Sequence, residues 1–268
     1  MLVTISIGNS HTAYAVHGGR EAEHRAAFRL RTDPRRTADE IGLWVTDLLG
    51  RAQVTAREVD AVCLCSVVPS ATGAIVAVCE RTFGVRPLVV RPGVRTGLPV
   101  RYRPEATLGT DRLVDAAAAH AAYGAPVIAV DFGTATTINA VDGAGVFVGG
   151  AIAPGIGIAA EALAEAGARL ALVDVQATAL PLVGRTTESA VQSGVVHGHA
   201  ALVDGLIARM TKALGGTDSP QAVPVVATGG WAGVIAPLVP RIGHVRVGLI
   251  HDGLRLIWER NVQFGSAA

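Results

Sequence analysis

Aromatic residues are scarce in this chain, at 4% of its 268 residues. Large rings therefore do not dominate the core. Ala, Val and Gly carry the apolar content, a composition suited to helices packed closely on a sheet. An excess of one charge is also missing: 23 Lys and Arg against 22 Asp and Glu leave a net charge of +1. That balance excludes a strongly basic nucleic-acid binder and an acidic tail protein. Arginines gather at Arg20, Arg25, Arg29, Arg31, Arg35 and Arg36, but Glu21, Glu23, Asp33, Asp39 and Glu40 are interleaved with them. Such a mixture reads as solvated surface rather than a stripe that tracks phosphates. Cysteine is limited to Cys63, Cys65 and Cys79. One C-x-C with a distant third partner lacks the ligand count of a structural zinc site, and apolar neighbours favour buried reduced thiols in the cytosol. The apolar run 116–130 is interrupted by His120, Tyr123, Gly124 and Pro126, too short and broken to span a bilayer. Met1 to Ile5 has no basic segment and reads directly into a strand, so no secretory leader is expected. These absences point to a cytoplasmic protein with neither nucleic acid nor membrane as partner. Hydrolytic chemistry lacks its signatures too. His11, His17, His120, His197, His199, His244 and His251 form no H-E-x-x-H, and Ser66 and Ser193 lack a G-x-S-x-G context.

What the chain has in quantity is glycine, 32 residues, and a hydrophobic share of 50%, enough for a sizeable core. It also contains a repeat. Residues 3–19 lie over 128–144 without a gap, at an offset of 125 residues from Ser6 to Asp131. Each copy reads as strand, Gly-containing turn, strand, then a Gly turn and a third strand, near 23–30 and 145–149. The remainder alternates. Helices are expected at 37–50, 69–83, 109–123, 156–170, 186–213, 231–238 and 251–261, and strands at 59–67, 86–91 and 223–227, with a loop over 92–108. Alternation of this kind predicts an α/β protein of two related halves. The boundaries drawn are 1–115 and 116–268, with the last helix packing back on the first half. A ligand cleft is expected between them.

The turns carry the chemistry. A strand-to-strand turn of the form D-x-G-T-x-T exposes backbone N–H groups, adds hydroxyls, and places an acid where a cation or water meets a phosphate. Asp131-Phe132-Gly133-Thr134-Ala135-Thr136-Thr137 fits that form fully. Ile7-Gly8-Asn9-Ser10 is its first-half counterpart, and Thr228-Gly229-Gly230 is a third Gly site that follows a strand and opens a helix. Three such sites in this order resemble the actin-like, sugar-kinase-like ATPase fold: mixed sheets flanked by helices, with a nucleotide bound between two related domains.

The resemblance narrows with Gly109-Thr110-Asp111-Arg112, Gly149-Gly150-Ala151-Ile152-Ala153-Pro154-Gly155, Thr187 through Gly194, and Gly253-Leu254-Arg255-Leu256-Ile257-Trp258-Glu259-Arg260-Asn261. Together these resemble type III pantothenate kinases over nearly the whole chain. The likeness implies ATP-dependent phosphorylation of pantothenate to 4′-phosphopantothenate, the first step toward coenzyme A. It implies Mg²⁺ and a monovalent cation, K⁺ or NH₄⁺. Asp111 matches the general base. Tyr102, Gly109, Thr110 and Arg112 match substrate contacts, and Thr187 matches a substrate contact delivered from a partner subunit, which implies a homodimer. Ser6, Ile7, Gly8, Asn9, Ser10, Thr134, Gly229 and Gly230 match the ATP site, and Asp131 matches the monovalent-cation ligand.

One departure stands out. The family has Asp where this chain has Ser6, and the repeat shows the same gap, since Ser6 stands opposite Asp131. A hydroxyl provides little cation charge, and removing one electrostatic element of such a site costs roughly 10²–10³ in rate. Arg103-Pro104-Glu105, Thr107 and Asn139 also differ from the family's pattern. Two other readings therefore stay open: a kinase for another small hydroxylated metabolite, and a catalytically impaired relative with a binding or regulatory role.

Overall fold

The computed structural model describes residues 1–18, 24–167, 173–175, 180–217 and 222–265. It divides into two compact units. Unit 1 comprises Met1–Leu98, Arg103–Ala118 and the segment from Ile250 onward; unit 2 comprises Pro99–Tyr102 and Ala119–Leu249.

Unit 1 is built on a five-stranded mixed sheet of β1 (Leu2–Ile7), β2 (His11–His17), β3 (Ala26–Arg31), β4 (Ala61–Ser66) and β5 (Leu88–Val89). The spatial order is β3-β2-β1-β4-β5. β1 pairs antiparallel with β2 and parallel with β4. The central strands read as continuous apolar runs because helices cover them: Val62, Cys63, Leu64 and Cys65 of β4 are all buried. Helix α1 (Ala38–Arg51) starts at a capping box, in which Thr37 N–H donates to Glu40 Oε2 at 2.8 Å and Glu40 N–H to Thr37 Oγ1 at 3.3 Å. Its buried Ile41, Val45 and Leu49 join Val3, Ile5, Ile7 and Leu64 in one cluster, together with residues of α2 (Pro69–Val78). A second cluster gathers Leu2, Cys63, Cys65 and Val90 with Val114 of α3 (Thr110–Tyr123) and Leu254 and Ile257 of α7 (Leu249–Gly265).

Unit 2 repeats the plan. Its sheet holds β6 (Val127–Phe132), β7 (Ala135–Val141), β8 (Phe147–Pro154), β9 (Val225–Thr228) and β10 (His244–Val245), in the order β10-β9-β6-β7-β8. Strand for strand this is the order of unit 1, so the two-half α/β reading holds. Helices α4 (Ile156–Ala166), α5 (Thr187–Ala213) and α6 (Ala232–Ile235) complete it. Val203 and Ile207 of the long α5 pack on Ile128, Val130 and Val225 of the sheet. No helix among the described residues is long and apolar enough to cross a membrane.

Several sequence expectations are corrected. The repeat is not gapless. Ile7 pairs with Thr12, whereas Phe132 pairs with Thr136, so the unit 2 turn is one residue shorter and the second strands align at an offset of 124. Gly8 N–H reaches over to His11 O, while Gly133 N–H closes sooner, on Ala135 O. The third strand of unit 2 does not end at 149. It runs through Gly149 and Gly150 to Pro154, after a bulge at Ala140/Val141, a setting in which strand glycines are at home. The strand expected at 86–91 pairs only over Leu88–Val89, since Pro87 offers no N–H to a ladder. The helix at 69–83 leaves α geometry at Cys79 and ends in a π turn capped by left-handed Gly84. β10 and a short turn of 3₁₀ helix at Ala56–Glu58 have no counterpart in the expectations. The helix expected over 156–170 ends at Ala166, where Gly167 leaves helical geometry, and Arg20, Glu21 and Glu23 lie outside the described residues.

Candidate active site

In unit 1 the C-terminal ends of β1 and β4 lie side by side, with Ser6 opposite Cys65 and Ile7 opposite Ser66. Cys65 donates its S–H to Ser6 Oγ at 3.7 Å. Beyond β1 the turn Gly8-Asn9-Ser10 is braced from the start of the next connection. Thr32 donates its hydroxyl to Gly8 O at 2.7 Å and its N–H to Ser10 O at 2.9 Å. Asn9 is left exposed at the tip.

Helix α3 brings the candidate base to the same end of the sheet. Thr110, its first residue, donates its hydroxyl to Ser66 O at 3.0 Å, which docks the helix start on the end of β4. The hydroxyl that the motif offered to substrate is thus engaged with backbone. Asp111 folds back so that Oδ1 accepts the Arg112 N–H at 2.7 Å. Burial raises its pKa, against the pull of that N–H and of the Arg112 guanidinium. Arg112 is buried at 5% exposure. A carboxylate held by backbone at a helix N-terminus, with basicity raised by burial, is equipped to orient a hydroxyl and take its proton.

In unit 2 the hairpin β6–β7 carries the second turn. Asp131 sits in register between Thr137 of β7 and Thr228 of β9, with Thr134 exposed at the tip. The third Gly site closes directly onto it. Gly229 has φ +93°, and a Cβ there would lie 2.6 Å from the Phe132 carbonyl and run into the Asp131 carboxylate. Only glycine permits that approach. Trp231 N–H donates to Phe132 O at 3.2 Å, which fixes the same junction. Tyr102 lies beside Gly149, where a Cβ would stand 3.8 Å from its ring, and tilts against Phe147, at 6.1 Å between centroids. Thr187 is exposed at the first turn of α5, where Thr186 and Ser189 form the cap.

This chain is similar to known proteins over nearly its whole length. A family model described as type III pantothenate kinase matches residues 2–209. A type III pantothenate kinase of Moorella thermoacetica is 40% identical over 261 residues, covering 97% of this chain and all of that protein. Relatives of the same name from Streptomyces coelicolor and Acidothermus cellulolyticus are 41% and 42% identical, each covered to 99%. The chain belongs to the type III pantothenate kinase family. Solved structures agree on the fold. A Baf family transcriptional activator from Campylobacter jejuni superposes with a TM-score of 0.63 at 18% identity, covering 97% of this chain and 99% of that one. A ROK hexokinase from Thermus thermophilus gives 0.51 at 14% identity, covering 98% and 99%. Both have less than a quarter of their residues in common with this chain, and what they show is the actin-like, sugar-kinase-like architecture.

For a type III pantothenate kinase, three positions escaped the sequence reading. Thr32 braces the first turn from 22 residues beyond Ser10. A Thr followed by Asp-Pro at the end of a strand was its only signal. His199 of α5 holds Thr136 of the second turn at 2.9 Å through Nε2, and burial lowers its pKa. Nothing in the local sequence around His199 signals that partner. Asp115 is buried at 3% exposure, one helical turn after Asp111. An acid inside the run Leu-Val-Asp-Ala-Ala-Ala-Ala is out of place in an apolar helix face, and that was legible.

Proposed function

We propose that this protein phosphorylates pantothenate with ATP to give 4′-phosphopantothenate and ADP, the opening step of coenzyme A synthesis, in the cytosol. The observation that carries the proposal is Asp111: half-buried, gripped by the Arg112 N–H, and presented at the end of the β1–β4 pair. The relatives at 40–42% identity over nearly the whole chain support the choice of substrate.

Asp111 accepts the proton of the attacking primary hydroxyl as that oxygen bonds to the γ-phosphorus. The bond from the γ-phosphorus to the β,γ-bridging oxygen breaks, and ADP leaves with the electron pair. Arg112 orients the substrate carboxylate, a pairing suited to a guanidinium. The Gly8–Ser10 and Gly133–Thr134 turns offer N–H and hydroxyl donors to phosphate oxygens. Gly229 and Gly230 let backbone lie close to the nucleoside. Among the described residues no group of three or more His, Cys, Asp and Glu converges as a metal site. Mg²⁺ in nucleotide sites is generally bound mainly by phosphate and water, with one or two carboxylates. Asp131 is the carboxylate this chain offers to a monovalent cation, and Asp111 is kept for the substrate hydroxyl. Mg²⁺, when bound, neutralises charge on the transferring phosphoryl group. Tyr102 packs on the substrate, and Thr187 reaches the site of a partner subunit in a homodimer.

Coupled ADP release from purified protein with Mg²⁺-ATP, pantothenate and K⁺ tests the reaction. Turnover that rises with pantothenate and appears with no other small alcohol is expected. Absence of pantothenate-dependent turnover sinks the proposal, and a different productive alcohol replaces its substrate.

A further inference from the structure

We infer that His199 of helix α5 is a positioning residue for the second phosphate turn, which it fixes by holding the Thr136 hydroxyl. The inference rests on the functional reading above for what that turn binds.

The last rung of the β6–β7 hairpin pairs Phe132 with Thr136, and Gly133, Thr134 and Ala135 form the turn beyond it. His199 meets both sides of that rung. Its Nε2 lies 2.9 Å from Thr136 Oγ1, and its ring meets that of Phe132 edge to face, with centroids 6.2 Å apart. Thr136 is 1% exposed and His199 7%. Helix α5 is a firm support at this point, since Val195, Val196, Ala200 and Val203 pack in the same cluster as Phe132. Unit 1 treats its own last rung alike. There Ile7 pairs with Thr12, and Thr12 Oγ1 lies 3.0 Å from the hydroxyl of Thr32, the residue that also braces Gly8. Each half therefore pins the threonine that closes its hairpin, unit 1 from the residue after β3 and unit 2 from α5.

Packing alone does not call for a polar pair here. Two apolar groups of the same shape would fill the space at almost no cost in stability. What a hydroxyl and an imidazole add is direction. Burial lowers the His199 pKa, so the ring stays neutral, and in a neutral pair either partner can donate. Such a bond, made in dry surroundings, holds the rung where the ladder ends and would otherwise fray. The consequence falls on the turn. Gly133 N–H donates to Ala135 O at 3.2 Å, immediately before Thr136. Gly155, at the start of α4, lies so close over the Gly133 and Thr134 carbonyls that a Cβ there would run into them. With Thr136 held as well, the Gly133 and Thr134 donors keep one orientation before any phosphate arrives, which lowers the ordering cost of binding.

A double-mutant cycle tests this with His199→Phe, Thr136→Val and the pair. The readouts are the melting temperature without ligand, hydrogen exchange across residues 131–137, Mg²⁺-ATP binding by calorimetry, and kcat. Each single variant leaves one buried polar group unpaired and is expected to melt lower. Each is also expected to weaken Mg²⁺-ATP binding by about three- to tenfold, the worth of one hydrogen bond, with kcat at saturation nearly unchanged. The pair separates position from stability. Its melting temperature is expected to return to near the wild type, while ATP affinity stays low and exchange at the turn stays fast. His199→Gln keeps a donor and an acceptor, and is expected to recover most of the affinity that His199→Phe loses. Recovery of affinity together with melting temperature in the pair, or single variants that melt lower but bind ATP as the wild type does, would make this an ordinary core contact and overturn the inference. If a single variant does not fold, the pair set against the wild type decides alone by the same two criteria. Wild-type protein that binds no ATP, or binds it without turning over pantothenate, defeats the functional reading, while melting and exchange at the turn still decide whether His199 pins it.

Discussion

The hairpins that open the two units share a strand order and differ in what they place at the strand end. In unit 2, Asp131 stands at the end of β6, a short turn follows, and Gly229 closes against both. In unit 1, Ser6 occupies the equivalent place, the turn is one residue longer and braced by Thr32, and Ser66 stands where unit 2 has Gly229. The acid that unit 1 places near its strand ends is on α3 instead, at Asp111. A duplicated scaffold thus separates two tasks. One copy keeps its carboxylate at the turn, suited to a cation beside phosphate. The other carries it on a helix N-terminus, suited to a substrate hydroxyl. The lesson is that equivalent backbone positions need not hold equivalent chemistry.

The sharpest way to break this division is to remove the acid from each unit separately. Asp111→Asn is expected to lower kcat by about 10²–10⁴-fold, the range for a general base, while ATP binding stays close to wild type. Asp131→Asn is expected instead to raise the K⁺ and ATP concentrations needed for half-maximal rate. Equal losses of kcat in the two variants would erase the distinction.

A smaller effect tests the strand ends. Gly229→Ala forces a side chain to φ +93° and into the Phe132 carbonyl. The backbone strain alone costs about 1–3 kcal/mol, and a cost of 1 kcal/mol corresponds to roughly 2–4 °C in melting temperature at this size. Ser66→Ala removes hydroxyl contacts to Thr72 at 2.7 Å and to the Val68 N–H at 3.1 Å. Its expected cost is about 1 kcal/mol. A Ser66 variant that melts lower than the Gly229 variant would reverse the order proposed for the two strand ends.

A last effect is one of pH. Thr4 Oγ1 lies 3.0 Å from His17 Nε2 and 2.9 Å from His251 Nδ1, so two buried imidazoles meet on one hydroxyl in unit 1. Burial, chiefly, lowers His17 to about 4 and His251 to about 3. The folded state holds both neutral, and the unfolded state binds protons first, below the ordinary histidine value near 6.5. Their contribution is therefore complete above that pH and is lost progressively as pH falls toward 4 and then 3. Melting curves between pH 7 and 4 should slope downward, and His251→Gln should flatten the slope. An unchanged slope would show that these two histidines do not make unit 1 the acid-sensitive half.

The sequence carried much of this. The repeat, the turn motifs and the alternation of strands and helices were legible because each rests on local pattern: Gly turns, caps such as Thr37 with Glu40, and buried runs such as Val62 to Cys65. The one-residue difference between the two turns was not legible, since a gapless overlay of Thr12 on Thr137 looks as good on paper as the true pairing with Thr136's place. Gly149 and Gly150 looked like a turn because glycine marks turns and strand bulges alike. In the candidate site, Asp111 and Asp131 stood out through their motifs. Thr32 and His199 did not, because their roles depend on partners 22 to 63 residues away, at Gly8 and Ser10 and at Thr136.

Helix α7 carries a consequence for biosynthesis. Leu254 and Ile257 complete the cluster that holds Leu2, Cys63, Cys65 and Val114, yet they are translated after all of unit 2. The ribosome therefore releases the second unit whole while the first still lacks a wall. Until residues 250–257 emerge, the strand ends that bear Ser6 and Cys65 have an open apolar flank, and a chain stalled near Leu249 would present that flank to chaperones and proteases.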